Sequence, residues 1–199
     1  MASRHVLATV LVAMVGGTAV VADVLRGTGG PMNFDYGLEY GGKANYESSL
    51  LREWVIVNDA RLPVSLSSFS YSTEYEDSEL ARFLSRNPSL NYDIDYYVEV
   101  QEAIQAIEVR FIPFDIWGER GRALSATDIR DIGPGTLTLN GIWRILSDNE
   151  AAEHYAMLGY IAQVKLASGE ILHANTVAVV EEARRFSADF TSSDLSTKD

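Results

Sequence analysis

Residues 104–118, IQAIEVRFIPFDIWG, are the densest apolar run outside the N-terminus, and they constrain the fold more than any other part of the chain. Ile107, Val109 and Phe111 fall on one face of an extended strand, with Glu108 and Arg110 on the other. After Phe111 the apolar positions become Ile112, Phe114 and Ile116, and Pro113 stands at the change. A one-residue change of phase predicts a bulge or a strand switch at Pro113. The run then closes in a turn, Phe114-Asp115-Ile116-Trp117-Gly118.

Short strand-like segments surround this run. Residues 51–58 pair Trp54 with Ile56 and Val55 with Val57 on opposite faces, and Asn58-Asp59 reads as a turn. Residues 62–71 alternate, with serines opposite Leu62, Val64 and Leu66. Strand patterns recur at 92–100, 124–132 and 136–146, the last after Gly133-Pro134-Gly135. Residues 157–174 form the clearest hairpin, turning at Ser168-Gly169. Pairing Ala167 with Glu170 there sets Val164 opposite His173. Between 75 and 90 the pattern breaks, and Asp77 or Ser78 caps a short predicted helix ending at Asn87-Pro88. A helical turn is expected at 147–155. A C-terminal helix at 177–190 carries Val179, Ala183, Phe186 and Phe190 on one face, with Glu181 and Arg185 spaced for an i,i+4 pair. The expected class is all-β, a β-sandwich at 48–176 with a short inserted helix and a C-terminal helix, followed by a disordered tail at 191–199.

The first 22 residues read as an address. Arg4 precedes a nearly continuous apolar run, and Val20-Val21-Ala22 offers a small residue for cleavage before Asp23. This predicts an N-terminal signal peptide, or an uncleaved signal-anchor helix touching the membrane only through residues 1–25. The remainder then faces outward, periplasmic or anchored to the outer face of the inner membrane. Residues 23–47 hold repeated glycines and read as a flexible linker. Phe34 and Tyr36 stand out in it as aromatics able to dock on a partner.

Chemistry narrows the rest. The net charge of -12 repels phosphate backbones, so nucleic acid is not an expected partner. The absence of cysteine removes disulfides, thiolate metal sites and thiol nucleophiles. Of the three histidines, His5 lies in the export segment, and His154 and His173 carry no triad or zinc spacing. No glycine-rich phosphate loop or cofactor motif is present, so no cofactor is expected. Asp93 and Asp95 share a strand face and are the candidate calcium ligands. Paired carboxylates also serve glycoside hydrolysis, but the chain lacks the size and aromatic cleft expected for it.

The run from Tyr97 to Leu139 resembles bacterial exported immunoglobulin-like domains of the FxLYD type. The likeness rests on the alternating strand, the Phe114-Asp115-x-x-Gly118 turn and the later Pro134-Gly135 turn. The sequence departs from that pattern at Gln101-Glu102-Ala103, at the 75–90 insertion and in the C-terminal helix. The resemblance implies an immunoglobulin-like sandwich and a non-catalytic accessory or adhesion role, with no active site to carry over. The expected function is therefore a non-enzymatic exported module that binds another protein, such as a subunit of a membrane complex. The partner-binding residues expected are Trp117, Phe186, Phe190, Phe34 and Tyr36. A calcium- or small-ligand-binding sandwich is the alternative.

Overall fold

A computed structural model describes residues 7–15, 18–32, 34–36, 44–46, 49–75, 90–144 and 148–196. Its strands are β1 (Leu7–Val15), β2 (Thr18–Pro31), β3 (Phe34–Tyr36), β4 (Ala44–Tyr46), β5 (Leu51–Asp59), β6 (Val64–Tyr75), β7 (Leu90–Val100), β8 (Ile104–Asp115), β9 (Leu124–Ile132), β10 (Gly135–Arg144), β11 (His154–Leu166) and β12 (Ile171–His173). Two short helices, α1 (Asp148–Glu153) and α2 (Val177–Ala183), flank β11 and β12.

The strands form two main sheets. The larger runs β1-β2-β5-β11-β8-β9, with β12 also paired to β11, and the smaller runs β10-β7-β6. A separate hairpin joins β3 and β4. Among the described strands all pairings are antiparallel except β5 with β11. The inner faces of the two main sheets enclose the first core, built on Ile56, Leu66, Ile94, Val98, Ile107 and Phe111. This is the sandwich that alternating strands require.

A second core lies on the opposite face of the larger sheet. There Val55, Val57, Ile112, Phe114, Leu158 and Tyr160 meet Ala178, Val179, Ala183, Phe190 and Leu195. This layer explains the run that opens the sequence argument. Phe111 faces the first core and Ile112 the second, while β8 stays in register with β11 from Phe111–Gly159 to Phe114–Ala156. The β8–β11 ladder therefore runs through Pro113 without a bulge, whereas on the other edge of β8 the pairing slips by one residue between Phe111–Leu124 and Phe114–Arg120. The change of phase marks where the outer face of β8 passes beneath the C-terminal segment. Pro113 fits because its carbonyl accepts from Gly121 N at 2.8 Å, placing its N–H-less nitrogen on the side away from β11.

Local departures from the sequence expectations have similar causes. Leu7–Val15 and Thr18–Pro31 pair as the antiparallel strands β1 and β2, in place of the expected helix followed by a tether, and β2 pairs with β5 from Ala22–Asp59 to Pro31–Leu51. Ala22, Val24 and Met32 are buried. Gly27 serves close packing: a Cβ there would lie 2.3 Å from the Trp54 ring. Asn58 does not turn the chain. Its side-chain amide donates to Leu66 O and its oxygen accepts from Leu66 N, joining β5 of one sheet to β6 of the other.

The 157–174 hairpin is present, but its register differs by one residue, with Val164 opposite Leu172 and Gln163 opposite His173. Its turn closes through Leu166 N to Glu170 O, with Gly169 at φ 91°. The C-terminal helix is shorter than expected, and 191–196 is ordered, including a 3-10 helix, Ser192–Leu195. Thr191 and Asp194 cap it reciprocally, and Leu195 is buried. The predicted inserted helix falls within 76–89, outside the described residues. No described helix is long and apolar enough to cross a membrane.

Candidate functional site

One end of the sandwich gathers an exposed aromatic turn, two concavities and a buried histidine. The turn after β8 is built by Asp115, whose Oδ1 accepts from Trp117 N at 2.9 Å and Glu119 N at 2.8 Å. Asp115 N donates to Glu119 O, and Gly118 adopts φ 88°, which an L side chain rarely takes. A Cβ on Gly118 would also lie 2.9 Å from Phe186 O, so the turn rests against the segment after α2. On this fixed base Trp117 projects into solvent, 76% exposed.

Two concavities flank the turn. The larger, about 310 Å³, lies between the turn and α1. Buried Tyr92, Phe114 and His154 line its inner part, and Asp115, Glu119, Arg120, Glu150 and Glu153 its outer part. The smaller, about 230 Å³, is bordered by Glu119, Arg120, Asp189, Phe190 and Asp194. Arg120 pairs with Asp194 at 3.1 Å and so ties the turn to the 3-10 helix. Ile116 N donates to Glu153 O, which ties the same turn to α1.

His154 is the chemically unusual group here. It is 1% exposed, and a hydrogen bond of 3.2 Å joins its Nδ1 to Tyr92 Oη. Its Nε2 has no hydrogen-bond partner among the described residues. The Tyr71 and Tyr92 rings pack on it edge-on at 5.0 and 5.2 Å. Burial, with a smaller contribution from the Arg52 charge, lowers its pKa to about 3, so the imidazole is neutral at physiological pH. His173 lies far along the sheet on β12, exposed, so the two histidines do not form a common site. Among the described residues no group of three or more histidines and carboxylates is arranged to hold a metal ion.

The other anticipated residues are dispersed. Phe190 is 2% exposed and packs on Phe114, with ring centroids 5.8 Å apart, so it belongs to the second core and is not free to meet a partner. Phe186 is half-buried, 5.3 Å from Phe114 and 6.4 Å from Tyr155. A helix face of phenylalanines that reads as an exposed sticky surface is instead used to cover the chain's own sheet. Phe34 and Tyr36 sit in β3, but their side chains lie outside the described ones. Asp93 and Asp95 lie on the outer face of β7, where Asn140 Nδ2 donates to both, at 2.6 and 3.0 Å. That amide occupies the position between the two carboxylates that a shared cation would need.

Glu119, Arg120, Glu150 and Glu153 are absent from the sequence-derived candidates. The available signal was weak: one pair of charges follows the Trp117-Gly118 turn, and the other pair lies in the polar segment before β11. The β8–β11 pairing and the Ile116 N to Glu153 O hydrogen bond bring these two segments together.

Comparison with protein-family models, with curated proteins and with solved structures finds no match to this chain.

Proposed function

We propose that this protein is an exported, non-enzymatic immunoglobulin-like module that binds another protein through the Trp117 end of the sandwich. The observation that carries the reading is Trp117 itself. A large aromatic 76% exposed on a turn held by Asp115 and Gly118 loses little conformational freedom on binding, which is what an interface anchor requires.

Strand order supports the immunoglobulin-like part. Lettering β6 to β12 as A, B, C, C′, E, F and G makes the smaller sheet A-B-E and the corresponding part of the larger one G-F-C-C′. β5 is an addition that runs parallel to β11 beside the short β12. The FxLYD-type resemblance, with its turn at Phe114 to Gly118, points the same way. The export reading rests on the pattern of residues 1–22, and it places the module in the periplasm or on the outer face of the inner membrane. The partner is then an exported protein or a subunit of a membrane complex.

Affinity purification from native membranes, run in parallel with wild-type and Trp117→Ala baits, tests this. The expected result is a discrete protein recovered by the wild type and lost with the variant. The same set recovered by both baits would overturn the assignment of the surface.

A further inference from the structure

β9 is an edge of the larger sheet, since among the described strands it pairs with β8 alone. An open row of backbone N–H and C=O groups invites another strand, and native edges are usually blunted against it. This edge is blunted at its two ends. Trp143 Nε1 donates to Ser125 O at 3.2 Å, and a register shift against β8 sets Arg130 and Asp131 in a bulge before Ile132. The stretch between stays open. The Ser125 carbonyl points away from β8, and alternate residues of an antiparallel strand share that direction, so the backbone groups of Thr127 and Ile129 also face outward. Ile129 is 79% exposed, the most exposed large apolar side chain among the described residues. A lone exposed isoleucine is ordinary on a surface. What distinguishes this one is the charge on either side of it.

We propose that β9 pairs antiparallel with β9 of a second copy of this chain, about a two-fold axis at Ile129. In that register Ile129 meets its own copy and exchanges both backbone hydrogen bonds with it. Asp128 falls opposite Arg130 of the copy, and Arg130 opposite Asp128. The two charges already share a face, joined at 3.0 Å, so pairing gathers four alternating charges beside the central isoleucines. Sliding the register by two residues either way would set Asp128 against Asp128 or Arg130 against Arg130. A parallel pairing in register would do both. Charge therefore selects this one arrangement, and it selects a second copy over an unrelated strand. The ladder is short and the net charge of -12 opposes association, so the dimer is weak and reversible. It does not depend on the protein-binding reading above.

Sedimentation equilibrium of the full chain from about 10 μM to about 1 mM, in moderate salt that screens the net charge, is the test. The expected result is a monomer–dimer equilibrium with a dissociation constant of about 100 μM. Ile129→Lys, at a side chain that already meets solvent, should weaken it by about tenfold or more. Asp128→Lys and Arg130→Glu each set like charges opposite one another, so each variant should be monomeric alone. Mixed together they complement, and should dimerise with each other. Should either charge variant fail to fold, Ile129→Lys alone decides. A wild-type chain that stays monomeric throughout this range would overturn the proposal. So would a dimer untouched by Ile129→Lys, or folded charge variants that stay apart when mixed. Trp117→Ala should leave the dimer unchanged; its loss there would move the interface to the turn after β8 and overturn the pairing of β9.

Discussion

Gly27 and His154 are two residues whose roles depend on what covers them. Gly27 lies under the Trp54 indole, where a Cβ would approach Cζ2 to 2.3 Å. Gly27→Ala should therefore destabilise the fold by about 1–3 kcal/mol through overpacking, measured by urea denaturation. In a flexible tether the same substitution would be neutral, and that result would contradict the placement of β2. His154 makes a pH prediction. Its folded pKa, lowered by burial to about 3, lies below the unfolded value of 6.5. The unfolded chain thus takes up a proton first as pH falls. The stability associated with neutral His154 is present above pH 6.5 and is lost as pH falls toward 3, by on the order of a few kcal/mol. Stability curves at pH 7, 5.5 and 4.5 should show this decline. His154→Phe, which removes the titrating group, should flatten it, and an unchanged slope in that variant would assign the effect to other groups.

The C-terminal segment is the element that most changes the picture of the molecule. Hydrogen bonds and ion pairs clamp it to the sheet and to the turn after β8, and Arg185 also approaches Glu53 at 3.6 Å. Arg26 Nε donates to Glu182 at 3.0 Å, Arg110 Nη1 donates to Leu195 O at 2.9 Å, and Arg120 pairs with Asp194. Glu182 is buried, and Arg185 approaches it at 3.3 Å. Arg26→Ala removes one of its two partners, and should cost about 2 kcal/mol in chemical denaturation. Glu181→Ala, on the exposed side of the same helix, should stay within about 0.5 kcal/mol. If the two substitutions cost the same, Glu182 is not the anchor.

Sequence periodicity could not separate Glu181 from Glu182, because helical spacing gives a face but not the chain lying opposite it. The strands were more legible. β7, β9 and β10 lie within two residues of the expected boundaries because their alternation reports burial on one side only. β8 misled for the converse reason: beyond Phe111 it is covered on both sides, and double burial erases the period-2 signal. Of the candidate site, Trp117 was visible as an aromatic in a turn. The cleft beside it was not, since its charges come from segments about 30 residues apart in the chain.

At the scale of the whole molecule the open matter is where the folded unit begins. The glycines of residues 23–47 suggest a linker with the sandwich starting near 48, whereas β2 lies in the larger sheet between β1 and β5. Among the described strands β1 pairs with β2 alone, so removing it takes nothing directly from β5. β2 supplies Ala22 and Val24 to the second core and Arg26 to the C-terminal clamp, and Met32 beyond it is fully buried. Burying a large apolar side chain contributes about 1.5–3 kcal/mol, so this segment matters on the scale of a domain's net stability of about 5–15 kcal/mol. Two truncations separate the possibilities. A chain starting at Ala22 after an initiating Met keeps β2 and should unfold cooperatively, near the full-length midpoint. A chain starting at residue 48 loses the strand, the Arg26–Glu182 pair and the backbone partners of Val55 and Val57. It should unfold at a clearly lower denaturant concentration and bind a hydrophobic dye in buffer. Equal midpoints for the two would show that the sandwich needs nothing before residue 48. A large loss from the first truncation alone would instead make the β1–β2 hairpin part of the stable fold, and would argue against cleavage at Ala22 in the working protein.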